Sequence, residues 1–129
     1  GAVLHCCRIG RNALVGMNAV VMDKAEVGEA SIVAAMAFVK AGTQVPPRSL
    51  VAGIPARVMR VLTEQEMAWK TEGTVLYQHL ARRSLATMTE TEALTEIEAG
   101  RKRIDLPDIK PLIEAKAEWA EAAGDIPDE

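Results

Sequence analysis

Residues 3–51 read VLHCCRIGRNALVGMNAVVMDKAEVGEASIVAAMAFVKAGTQVPPRSLV, and stepping through them by six decides the fold. Starting at Val3 the steps land on Ile9, Val15, Val21, Val27, Val33, Val39, Val45 and Val51. Every landing is a branched aliphatic residue, and a sustained fixed period marks a repeat architecture. Four residues after each comes Cys7, Ala13, Ala19, Ala25, Ser31, Ala37, Thr43, Ser49 or Pro55, a run of small side chains. One residue before each inward position stand apolar Leu14, Val20, Ile32, Phe38 and Leu50, interleaved with polar Arg8, Glu26 and Gln44. A period of six scatters around a 3.6-residue helical turn, so a helix is excluded for this stretch.

Six residues make one short strand and one turn, and three such units close an 18-residue triangular coil. The branched residue fills the prism and the small one fits where a corner narrows. Coils stack at strand spacing, about 4.8 Å, which pairs each backbone group with the coil above or below. The sequence therefore predicts a mainly β protein, a parallel β-helix of three coils over residues 1–57. The third residue after each inward position is Cys6, Asn12, Asn18, Lys24, Ala30, Met36, Gly42, Arg48 or Ile54. Asn and Gly at such corners signal positive φ, which they tolerate best. Strand twist by itself favours right-handed crossovers, so the repeat pattern does not supply a left hand.

The remainder reads as helix and irregular chain. The segment Val51-Ala-Gly-Ile-Pro-Ala-Arg57 closes the last coil, and Thr63-Glu-Gln-Glu66 has the form of a capping box. A helical packing segment is expected over 58–90, with Tyr77, Leu80, Ser84 and Met88 along one stripe. Gly73 costs about 1 kcal/mol there, which makes a break near 71–73 plausible. This helix is the natural cover for the open end of the prism. Residues 91–129 are expected to form an extended tail, with a weaker second helix from Asp108 to Ala123 and a frayed acidic end at 125–129.

Composition narrows the function. Hydrophobic residues make up 49% of the 129, but aromatics only 3%, which suits a narrow prism better than a sandwich or Rossmann core. A net charge of −3 gives no case for nucleic acid, and the Arg101-Lys102-Arg103 run reads as a solvated patch. No apolar run approaches the roughly 20 residues that span a bilayer. Adjacent Cys6 and Cys7 cannot staple distant segments, which favours a reducing cytoplasm. The chain opens on Gly1 inside the repeat, so a fragment of a longer protein is expected.

Several words of the sequence resemble a known family. Ala2-Val-Leu-His5, residues 11–23, residues 31–40, Ala68-Trp-Lys70, Gly73-Thr74, Tyr77-Gln78 and residues 96–103 are similar to the PaaY/CaiE subgroup of γ-carbonic-anhydrase-like hexapeptide-repeat proteins. The resemblance implies a left-handed β-helix assembled as a homotrimer, with the C-terminal helix packed alongside. It implies a zinc site between subunits, held by three histidines drawn from two chains. It further implies a thioesterase acting on CoA thioesters in phenylacetate degradation, or a carbonic-anhydrase-like use of a bicarbonate-type substrate. Leu4-His5 matches the second histidine of the family motif, which makes His5 the candidate metal ligand. The first would fall just before Gly1, and Cys6 stands where the motif has glycine. One imidazole holds zinc far more weakly than three, so residues 1–129 alone are expected to bind no stoichiometric zinc and to be inactive.

Other candidates read as structural. Cys7 lies in the small-residue layer and belongs to the core, while Cys6 is a thiol of unassigned reactivity. Asp23 lies 18 residues after His5 and shares its corner, and it reads as a solvated carboxylate more readily than as a partner of His5. His79, Trp69 and Tyr77 fall on the helix and read as packing or solvated residues. Two alternatives to the hydrolase stay open. A hexapeptide CoA acyltransferase is disfavoured by the uninterrupted period, which leaves no catalytic loop thrown out of the coil. A non-catalytic trimeric scaffold is the other.

Overall fold

A computed structural model describes residues 1–101 and 110–124 of the chain. Two compact units, Gly1–Thr71 and Glu72–Glu129, divide it. The first is a parallel β-helix whose faces are three stacked ladders. One ladder joins β1 (Val3–Leu4), β4 (Val20–Val21) and β7 (Phe38–Val39). A second joins β2 (Arg8–Ile9), β5 (Glu26–Val27) and β8 (Gln44–Val45). The third stacks β3 (Leu14–Val15), β6 (Ile32–Val33) and β9 (Ser49–Gly53), and β10 (Ala56–Val61) is added at its edge.

From Ile9 onward the register is the expected one. Ile9 pairs with Val27, Val27 with Val45, Val15 with Val33 and Val33 with Val51, each 18 residues apart. Val21, Val33, Val39 and Val51 are wholly buried, with Val27 and Val45 close behind, whereas Ile9 and Val15 in the first coil are only partly covered. The small layer of Ala19, Ala25, Ser31, Ala37 and Ser49 is buried beside them. The buried hydroxyl of Ser31 is satisfied twice, donating to the Pro46 carbonyl at 2.9 Å and accepting the Ser49 N–H at 3.1 Å. Unpaired, it would cost about 1–3 kcal/mol.

The first step of the repeat departs from the sequence reading. Val3 pairs with Val20 and Leu4 with Val21, so Leu4, not Val3, occupies the inward layer. Both are apolar and either could fill it, and the hydrogen bonds Val3 N–H to Ala19 O and His5 N–H to Val21 O, both 2.9 Å, decide the register. The corners hold positive φ at Cys6, Asn12, Asn18, Lys24, Ala30, Met36, Gly42 and Arg48, as the pattern predicts. Ile54 is the exception: the chain turns back there, and Gly53 takes the positive φ of 101°.

That turn also changes what covers the last coil. β10 runs antiparallel to β9 with Ala56 opposite Gly53, and so pairs the edge that the helix was expected to cover. The helix α1 (Glu64–Thr87) instead starts along the side of the prism. Its N-terminus is a capping box: the Thr63 N–H donates to Glu66 Oε2 at 3.0 Å, and the Glu66 N–H to Thr63 Oγ1 at 3.2 Å. Glu66 is 3% exposed and also takes a two-pronged bond from Arg60, at 2.7 and 2.8 Å. The first two turns then follow the corner column Arg48–Ala30–Asn12. Arg48 meets Glu64 and Met67, and the Lys70 ammonium, buried with its side chain, donates to the Asn12 carbonyl. Burial lowers the pKa of Lys70, since a low-dielectric site disfavours the charged form.

In the second unit α1 continues without interruption through Gly73, because a cost near 1 kcal/mol is too small to end a helix. Residues 88–101 are irregular, and α2 (Leu112–Ala123) closes on Gly124, whose φ of 75° lets its N–H cap the carbonyls of Ala120 and Glu121. The expected helix start at Asp108 and the acidic end at 125–129 lie outside the described residues. Among the described residues no helix is long and apolar enough to cross a membrane.

Candidate metal centre

The shortened first step builds the site. Between inward Leu4 and the left-handed residue Cys6 stands one residue, His5. On the coil stacked against it, two residues, Met22 and Asp23, stand between inward Val21 and left-handed Lys24. The Lys24 N–H donates to the Cys6 carbonyl at 2.8 Å, which locks the two corners together. The extra residue, Asp23, is thereby set against the imidazole: His5 Nδ1 lies 3.0 Å from Asp23 Oδ1.

This contact reverses the reading of Asp23 as a solvated carboxylate without a partner. The His5 hydrogen bond holds its carboxyl below the usual 3.8, helped by a backbone hydrogen bond and opposed weakly by desolvation. Both side chains remain well exposed, 62% for His5 and 43% for Asp23, so the pair adds little to stability. Its effect is on orientation. With Nδ1–H donating to Asp23, the lone pair falls on Nε2, the form in which an imidazole ligates a metal.

Cys6 belongs to the same corner. One donor atom each from His5, Cys6 and Asp23 lie within 4.8 Å of one another. Cys7 is partly buried against the core cluster, as its place in the small-residue layer predicts. His79 is exposed on the second unit's part of α1, as is Tyr77. A feature the sequence reading left unused is a groove of about 450 Å³ on the β2–β5–β8 face, floored by Gly10 and Gly28 and walled by Arg8, Glu26, Gln44 and Pro47. Its signal was the polar column Arg8, Glu26, Gln44, where the other two faces carry apolar residues.

Residues 6–41 match the family profile for bacterial transferase hexapeptide (six repeats). Over that stretch the coils are similar to the hexapeptide-repeat family. Over 112 residues the chain is 54% identical to the carnitine operon protein CaiE of Salmonella agona, a match covering 86% of this chain and 57% of that protein. The chain thus spans little more than half the length of the curated relatives it matches. A hexapeptide transferase family protein from Anaplasma phagocytophilum superposes with a TM-score of 0.61 at 38% identity, covering 64% of this chain and 49% of that one. A putative acetyltransferase from Bacillus cereus does so with 0.66 at 31% identity, covering 67% and 51%.

The three-histidine zinc site implied by the resemblance can be tested against this corner. His5 can supply one imidazole, since a hydrogen bond from Nδ1 to Asp23 leaves the lone pair on Nε2. The other donors gathered around it are Cys6 and Asp23, not further imidazoles.

Proposed function

We propose that these coils belong to a zinc-dependent hydrolase of the PaaY/CaiE type, acting on CoA thioesters, built as a cytoplasmic homotrimer of left-handed β-helices. The observation that carries the reading is the 3.0 Å contact between His5 Nδ1 and Asp23, which presents Nε2 from an outward corner. Zinc, where bound, supplies the Lewis acidity that activates water for attack on a carbonyl. This chain's part is to hold the imidazole: Asp23 fixes its tautomer, and the backbone bonds from His5 to Val21 and from Lys24 to Cys6 fix its corner.

The test uses the natural gene product that contains these coils. It should hold zinc after dialysis, hydrolyse a CoA thioester without an acyl acceptor, and lose both properties on His5→Ala. Turnover that requires an acceptor alcohol or amine would favour a second reading, a CoA acyltransferase, which the likeness to the Bacillus cereus putative acetyltransferase supports. Neither zinc nor turnover would leave a trimeric scaffold.

A further inference from the structure

We infer that His5, Cys6 and Asp23 form a single-chain binding site for a thiophilic divalent cation of the zinc, cobalt or cadmium kind. It does not rest on the hydrolase reading, and it uses Nδ1 of the imidazole where that reading uses Nε2, so the two compete for His5. It needs no histidine from elsewhere and no second chain. The expectation that residues 1–129 bind no stoichiometric zinc counted imidazoles alone. The fold brings a thiol and a carboxylate to the same imidazole, and that alters the count.

The geometry supports three ligands. Their donor atoms lie within 4.8 Å of one another, and the nitrogen–oxygen pair is already at 3.0 Å. Bonds of about 2.0–2.3 Å arranged tetrahedrally put donor atoms roughly 3.3–3.7 Å apart, so the widest pair has to close by about 1 Å. Side-chain rotation can supply that, since His5 and Cys6 are exposed and Asp23 is half-buried. The backbone need not move: the stacked corners are fixed by the Lys24 N–H to Cys6 O and His5 N–H to Val21 O bonds. A sulfur, nitrogen and oxygen set prefers borderline-soft cations and rejects magnesium and calcium, which take oxygen ligands. The open face leaves the fourth position to water.

The protons balance as follows. The cation takes the place of the proton between His5 Nδ1 and Asp23 Oδ1, and that proton is carried on Nε2 in the other neutral tautomer. The Cys6 thiol loses its proton to solvent and binds as thiolate, while Asp23 binds as the carboxylate it already is. About one proton is therefore released per cation bound.

Cobalt(II) titration of reduced residues 1–129, without oxygen, tests the site. One equivalent should bind and give a near-ultraviolet thiolate-to-cobalt charge-transfer band, with about one proton released in an unbuffered titration. Excess zinc should abolish the band, whereas magnesium should leave it intact. Cys6→Ser should remove the band, His5→Ala and Asp23→Asn should each weaken binding at least tenfold, and Cys7→Ser should leave band and affinity unchanged. Circular dichroism of each variant shows that the coils persist. Absence of the band in the parent, its survival in Cys6→Ser, or its loss in folded Cys7→Ser would each overturn the proposal.

Discussion

Replacing Gly28 by alanine puts one methyl group between two coils. An ideal Cβ there would sit 2.4 Å from the Pro47 nitrogen, 2.6 Å from the Pro46 carbonyl carbon and 2.7 Å from the Val45 oxygen. Carbon contacts settle at about 3.5–4.0 Å, and every atom met is backbone, so no side chain can swing aside. Relief requires the second and third coils to part by about 1 Å, which stretches the Gly28 N–H to Val45 O bond of 2.9 Å. Over-packing of this kind costs about 1–3 kcal/mol and a weakened hydrogen bond up to about 1. Alanine's smaller unfolded-state entropy returns about 0.4–1 kcal/mol. The net expectation is a loss of about 2 kcal/mol, read as a fall of about 1 M in the urea midpoint at fixed protein concentration. Gly73→Ala is the internal control. Among the described residues no atom beyond its own stretch of helix lies within 4 Å of its added Cβ, and the same exchange inside a helix should stabilise by about 1 kcal/mol. A Gly28→Ala protein whose midpoint stays within error of the parent would refute the coil spacing.

Other outcomes follow from the same geometry. Val27→Asp places an unpaired carboxylate at a 2% exposed position and should unfold the coils, the expected loss being several kcal/mol; parent-like melting would sink the inward assignment. Glu66→Ala strips Arg60 of its carboxylate partner and Thr63 of its cap, so urea unfolding should show a loss of about 1–3 kcal/mol, while Glu64→Ala on the exposed side should change little. Asp23 has a folded pKa below its unfolded value of 3.8, so its contribution is present above 3.8 and disappears as pH falls through the lower folded value. Carboxyl NMR should show that midpoint rising toward 3.8 in His5→Ala, and an unmoved midpoint would deny the hydrogen bond.

The prism was legible because each layer is specified within six residues: Ile9, Val15 and the later valines announce both strand and direction, and Asn12, Asn18 and Gly42 announce the corners. The slip at Leu4 was not, because Val3 and Leu4 are equally apolar and only their bonding to residues 19–21 separates them. That slip hid the candidate site as well, since it sets Asp23 against His5. The capping box at Thr63 was readable locally, whereas the course of α1 was not, because it is set by Arg48 and Asn12, residues 16 and 58 positions from their partners Glu64 and Lys70. The hairpin β9–β10 lay hidden in a Gly-Ile-Pro sequence that serves equally well to end a coil.

The path of α1 along the corner column has a bearing on how such a chain could lengthen or shorten. Arg48 and Asn12 are two coils apart, about 9–10 Å, and the helix bridges them between residues 64–67 and 70–71. One coil advances about 4.8 Å and one helical turn about 5.4 Å, so the two rulers disagree by only about 0.6 Å per step. Duplicating 18 residues of prism therefore calls for only three or four residues of helix to restore Lys70 to its carbonyl. Two unlike periodicities, bolted side by side, keep nearly the same beat.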